Sequence, residues 1–160
     1  MDALNFPPLT ICTTKAGMSA GTTTTLTTAN VQLYAISGKA FTKAASSNEA
    51  TPTLDSATGV AFVGLAINTG SVFIICRDNA GTLRAVQGIT AALDASGNFI
   101  NAPQFGSMSD ALCPIGYLIV KVGSTGATWT FGASNLAGPP TGVTFSFVDV
   151  MTLPGRPQVA

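Results

Sequence analysis

Histidine is missing from this 160-residue chain, charged residues make up only 9% of it, and glutamate occurs once, at Glu49. Without an imidazole there is no Ser-His-Asp or Cys-His nucleophile system, no histidine-ligated metal and no His-Glu-x-x-His protease motif. The 7 basic residues cancel the 7 acidic ones, whereas nucleic-acid-binding domains gather Lys and Arg to neutralise phosphate. Nucleic acid is therefore not an expected partner. Lys39 and Lys43, two residues either side of Phe41, are too few for a basic stripe and read as outward charges flanking an inward Phe41.

Long apolar runs are lacking as well. Val60 to Ile67 is interrupted by Gly64 and closed by Asn68, and Val72 to Cys76 is closed by Arg77. Both fall far short of the roughly 20 residues of a spanning helix, so no membrane contact is expected and the two runs read as buried strands. Met1 to Pro8 has neither a basic stretch nor a long apolar one, so a secretory signal is not expected. Cys12, Cys76 and Cys113 are odd in number and widely spaced. That pattern indicates neither a disulfide framework nor a zinc motif, and the thiols are expected to pack as small hydrophobes.

With so little charge, the mean hydropathy is nevertheless positive, +0.43. Soluble domains are about a quarter charged and keep their net charge away from zero. A surface of this kind reads as one built to be covered by other protein.

Thr, Val, Gly, Ala and Ser dominate what is present, a composition that favours strands and tight turns. The expected fold is all-β, an antiparallel sandwich or barrel-like meander, large enough to bury about 70% of its unfolded surface as one domain. Residues 1–30, polar and Thr-rich around Thr22 to Thr25, read as an extended N-terminal arm. Residues 31–150 read as the β domain, and residues 151–160, with Pro154 and Pro157, as an extended C-terminal tail. Within the domain, Val31, Leu33 and Ala35 alternate with Gln32 and Tyr34, and Gly38 introduces a hairpin. Residues 44–56 read as a surface loop. Val60 to Ile67 and Ser71 to Arg77 join at Asn68-Thr69-Gly70, Asp78 to Gly81 and Asp94 to Gly97 read as turns, and Ser107 to Leu112 as one helical turn. Tyr117 to Val122, Ala127 to Phe131 and Val143 to Val150 complete the strand set, with a bulge or two-sided burial near Val148.

Catalytic chemistry finds little footing. Asp78, Asp94, Asp110 and Asp149 are the carboxylates that a glycosidase pair would draw on, but Asp78 and Asp94 open Gly-containing turns, where Asp caps the backbone. Asp78 to Gly81 lacks the later acidic ligands of a calcium loop, and Gly123 to Gly126 does not continue into a phosphate-binding Gly-Lys-Ser/Thr. No enzyme, cofactor or metal is expected. Trp129 and Phe131 share a strand face, where core packing competes with stacking on a sugar ring.

Leu112-Cys113-Pro114-Ile115-Gly116-Tyr117-Leu118-Ile119-Val120, Ala127-Thr128-Trp129-Thr130-Phe131-Gly132 and Leu153-Pro154-Gly155-Arg156-Pro157, together with Gly38 to Lys43 and Ala85 to Gly88, resemble virion structural proteins of tailed bacteriophages. The type resembled is the capsid decoration, or cement, protein. That resemblance spans roughly residues 31–158. It implies a small β-rich protein, a homo-oligomer of trimer type, seated on the outer capsid surface where it bridges neighbouring capsomers of the major capsid protein. The residues expected to contact the shell or sister subunits are Phe6, Leu9 and Ile11 in the arm and Leu153, Arg156 and Pro157 in the tail. A rival virion reading is a tail-fibre or spike module that stacks host glycan on Trp129, with Tyr117 or Tyr34.

Overall fold

The computed structural model describes residues 9–159. Among them are eleven strands and no helix: β1 (Ile11–Cys12), β2 (Met18–Ala20), β3 (Thr25–Thr28), β4 (Gln32–Ile36), β5 (Lys39–Lys43), β6 (Ser46–Ala50), β7 (Thr69–Arg77), β8 (Leu83–Gln87), β9 (Ala91–Ala92), β10 (Cys113–Val122) and β11 (Val143–Asp149). Every ladder is antiparallel, so the chain is all-β.

The two most apolar strands sit at the centre. β7 and β10 pair along almost their whole length in a sheet of order β11-β10-β7-β8, with β9 added beside the start of β7. Both are buried on both faces, which is why they read as continuous apolar runs and not as alternating ones. One face carries Phe73, Ile75, Leu118, Val120 and Val143 into the main core, where Phe62, Leu65, Trp129 and Phe131 meet them. Stacked and edge-on rings fill the space: Phe73 lies 5.0 Å from Phe131 and 5.9 Å from Trp129. The opposite face, with Ile74, Cys76, Val72, Tyr117 and Ile119, is covered by Phe99, Phe105, Met108 and Leu153 from the irregular segments at 99–112 and 150–159.

Two three-stranded sheets, β1-β4-β5 and β2-β3-β6, complete the fold. The hairpin at Gly38 is present: Ser37 (φ 49°) and Gly38 (φ 78°) form the two-residue loop between β4 and β5, with the positive φ at both positions that a tight hairpin of this hand demands. The β7–β8 reversal at Asp78 to Gly81 and the turn at Asp94 to Gly97 are present too. On β11, Val143, Phe145 and Phe147 pack on the main core while Val148 packs on the opposite face. Pairing with β10 runs without a register shift. Two-sided burial, not a bulge, therefore explains the change of apolar face.

Several expectations are corrected. Residues 11–28 are not an extended arm: they form β1, β2 and β3, and Cys12, Ala16, Met18 and Leu26 enter the main core. Their apolar side chains are spaced too irregularly to announce a strand period. Residues 46–50, expected in a loop, form β6 against β3. Val60 to Ile67 and Ala127 to Phe131 form no ladder: their backbones pair at a single Leu65–Trp129 bridge, and Phe62 packs edge-on against Phe131 at 5.0 Å. Ser107 to Leu112 contains a single turn, Leu112 N–H to Ser109 C=O at 3.1 Å, and no helix. Lys39, Phe41 and Lys43 share one face of β5, as residues two apart must, and the Lys39 ammonium lies over the Phe41 ring at 5.8 Å.

Candidate functional site

Phe6 lies outside the described residues. Leu9 and Ile11 come together on the outer face of the β1-β4-β5 sheet. Ile11 stands opposite Ala35, Ala35 opposite Ala40, and Leu33 opposite Thr42, so these side chains share that face. Leu9, tied to the hairpin by the Gly38 N–H at 2.9 Å, is 60% exposed, Val31 50% and Leu33 44%. Thr13 is exposed beside them. No charged side chain stands among these strand positions, and three large apolar residues on one small sheet face are open to solvent.

The reason this apolar set points outward lies on the other face. Gln32, Tyr34 and Ile36 turn inward, and Gln32 is fully buried. Its side-chain carbonyl accepts from Arg77 Nε at 2.8 Å, and the Tyr34 hydroxyl donates to the Asp78 carbonyl at 2.9 Å. Arg77 is itself fully buried and donates through Nη1 and Nη2 to both oxygens of Glu49, at 2.6 and 2.8 Å, and to the Gly81 carbonyl at 3.1 Å. A buried guanidinium demands acceptors. Supplying one from β4 forces the polar members of the alternation inside and the apolar members out. The alternation at Val31 to Ala35 was legible in the sequence; the residue that orients it, Arg77, gave no local signal.

The tail residues stand differently. Leu153 is half-buried against the second core, Pro157 is buried, and the Gln158 N–H donates to the Tyr117 hydroxyl at 3.1 Å. The Met151 carbonyl accepts from the Cys12 N–H at 2.9 Å. Leu153 and Pro157 therefore pack within their own chain, and the extended tail is corrected to a strap across the second face of the main sheet. Arg156 alone of the three stays exposed.

The glycan-stacking residues fail on burial. Trp129 is 0% exposed, its Nε1–H donates to the Asn135 carbonyl at 3.2 Å, and Tyr117 and Tyr34 are buried as well. A ring with no free face cannot stack on a sugar. Of the four candidate carboxylates, Asp110 is exposed and the other three are committed to their own chain. Asp78 accepts from the Ala80 and Thr82 N–H groups and from Arg84 Nε, all within 3.0 Å, and Asp94 accepts from Ser96 and Asn98 N–H at 2.8 Å each. Asp149 accepts from the Gly17 and Met18 N–H groups at 3.2 and 3.1 Å. Burial pushes the Asp78 carboxyl up, but the hydrogen bonds from Thr82, Arg84 and Ala80 outweigh it and hold it below the ordinary carboxylate value.

A cleft of about 480 Å³ lies between Ile36, Leu54 and Leu112, rimmed by Asp55, Asp78 and Arg84. Its charged groups are occupied: Asp55 accepts from Ala57 and Gln87 N–H, and Arg84 pairs with Asp78. No nucleophile is poised there beside a base. Among the described residues, no group of three or more Cys, Asp or Glu is placed to hold a metal ion. Cys12, Cys76 and Cys113 are all buried and unpaired. Burial pushes the thiol of Cys113 up to about 12 and raises those of Cys12 and Cys76.

No family model, curated protein or solved structure matches the chain.

Proposed function

We propose that this protein is a non-enzymatic virion component: a homo-oligomer that binds the outer surface of a bacteriophage capsid and bridges neighbouring subunits of the major capsid protein. The observation that carries the reading is the outer face of the β1-β4-β5 sheet, where Leu9, Ile11, Val31 and Leu33 stand without a charge among them. A chain with 9% charged residues and net charge zero has little else to keep such a face in water. Cover by a partner resolves the conflict, and the resemblance of the Leu112 to Val120, Ala127 to Gly132 and Leu153 to Pro157 segments to decoration proteins names the partner.

The mechanism is mass action. A ligand that binds the assembled shell and not its dissociated subunits stabilises assembly in proportion to its occupancy, with no chemical step. Several copies acting on one shell multiply weak apolar contacts into avidity. Cosedimentation with assembled shells and with free capsid subunits tests this. Binding to shells and not to free subunits is expected; equal binding to both, or to neither, overturns the reading.

A further inference from the structure

β11 is an outer strand of the main sheet. Gly123 N–H bonds to the Gly142 carbonyl and Val150 N–H to the Ile115 carbonyl. With Gly116 opposite Asp149, these bonds fix the phase of the β10–β11 ladder. Even-numbered residues of β11 bond to β10. Val143, Phe145 and Phe147 therefore turn their backbone groups away from the sheet, and among the described residues the N–H and C=O of Phe145 and Phe147 and the C=O of Val143 meet no partner.

Other edges are protected. The Ser56 N–H covers the Ala85 carbonyl on β8, where the Asp55 carboxylate also takes the Gln87 N–H. Met151 covers Cys12 on β1, and Asp149 takes the N–H groups of Gly17 and Met18 beside β2. β5 is short and bounded by Lys39 and Lys43, and β6 carries Glu49 and a positive φ at Asn48. These are the usual devices against edge pairing. From Val143 to Val148, β11 has none: no charge, no proline, no glycine.

We propose that β11 pairs antiparallel with β11 of a second copy across a two-fold axis, joining two main sheets into one continuous sheet. This rests on the free edge alone and uses a surface separate from the Leu9–Leu33 face, so it stands or falls independently of the capsid reading. Centring the pair on Phe145 matches the exposed phase of both strands. Phe145 exchanges both bonds with Phe145 of the second copy, and the Phe147 N–H reaches the Val143 carbonyl. In that register Thr144 stands opposite Ser146 of the second copy as a close non-hydrogen-bonded pair. Asp149 falls outside the register, so no charge is buried. The occupant is a second copy because an edge with one outward phase and no charge complements itself at no electrostatic cost; a two-fold makes such a contact closed.

Sedimentation equilibrium with hydrogen exchange tests the pairing. The wild type is expected at twice the 16.1 kDa chain mass, with the Phe145 and Phe147 amides protected at high concentration and exchanging on dilution. Thr144→Lys with Ser146→Lys sets lysine against lysine across the seam and is expected to weaken self-association roughly tenfold or more. Thr144→Asp with Ser146→Lys sets opposite charges in register and is expected to restore the dimer. Thermal melts at low concentration confirm that both variants fold. A wild type that stays monomeric at every concentration, a trimer, or a dimer indifferent to both double variants overturns the proposal.

Discussion

Arg77 and Glu49 form a two-pronged ion pair in which the guanidinium is fully buried and the carboxylate only 19% exposed. The pair is the junction of the fold. Arg77 belongs to the β11-β10-β7-β8 sheet, Glu49 to the β2-β3-β6 sheet, and Gln32, which accepts from Arg77 Nε, to the β1-β4-β5 sheet. The sole glutamate of the chain thus holds the one fully buried cation among the described residues. Glu49→Ala strands that cation in the interior and is expected to cost about 3–5 kcal/mol in urea unfolding. An unchanged midpoint would show that the junction does not hold the sheets.

How much of this was readable in advance follows from where each signal lies. β7 and β10 announce themselves because burial on both faces demands continuous apolar residues, β11 because Val143, Phe145 and Phe147 alternate with Thr144 and Ser146, and the turns at Gly38, Asp78 and Asp94 because their residues stabilise the turns locally. The orientation of β4 was hidden, since it is dictated by a guanidinium 45 residues away. Residues 11–28 were hidden too: short strands full of threonine bury few side chains each, and only the assembled core shows that Cys12 and Leu26 belong to it. Of the residues on the outer face of the β1-β4-β5 sheet, Leu9 and Ile11 are singled out by their own apolarity, while Val31 and Leu33 are not expected there because apolar residues in an alternating strand ordinarily face inward.

Acid should weaken the protein through its turn carboxylates. Against the cost of its burial, Asp78 is held below the ordinary carboxylate value by its hydrogen bonds, and Asp94 likewise by the Asn98 and Ser96 N–H groups. A folded-state value below the unfolded one contributes stability that is present above about pH 4 and lost as pH falls through the depressed value. Asp78→Asn is therefore expected to flatten the acid limb of a stability-versus-pH curve. An unaltered limb would contradict the assignment.

Alkali should act through the thiols with the opposite sign. Burial pushes the Cys113 thiol up from the ordinary thiol range to about 12, and raises Cys12 and Cys76 too. Their contribution is whole below about pH 9 and is lost as pH rises toward the folded values. In the native protein at neutral pH, a thiol reagent such as DTNB is expected to label none of the three, and all of them after unfolding. Prompt labelling of the native state would refute their burial.

Gly88 and Gly155 make a matched pair of substitutions. A Cβ on Gly88 would meet the Gln104 and Val72 carbonyls, backbone on both sides that cannot move aside, whereas one on Gly155 meets nothing within 4 Å. Gly88→Ala is expected to lower the unfolding midpoint sharply and Gly155→Ala to leave it nearly unchanged. Equal effects would mean that β8 and the 99–112 segment do not approach each other as described.

The most direct measurement is the affinity of Leu9→Asp/Leu33→Asp for assembled capsid shells, with the wild type beside it and the melting temperature of each recorded. Both side chains are exposed, so the account predicts an unchanged fold, shell binding by the wild type, and its loss in the double variant. A double variant that folds and binds shells as tightly as the wild type would contradict the claim that this uncharged face is what the protein uses to hold its partners.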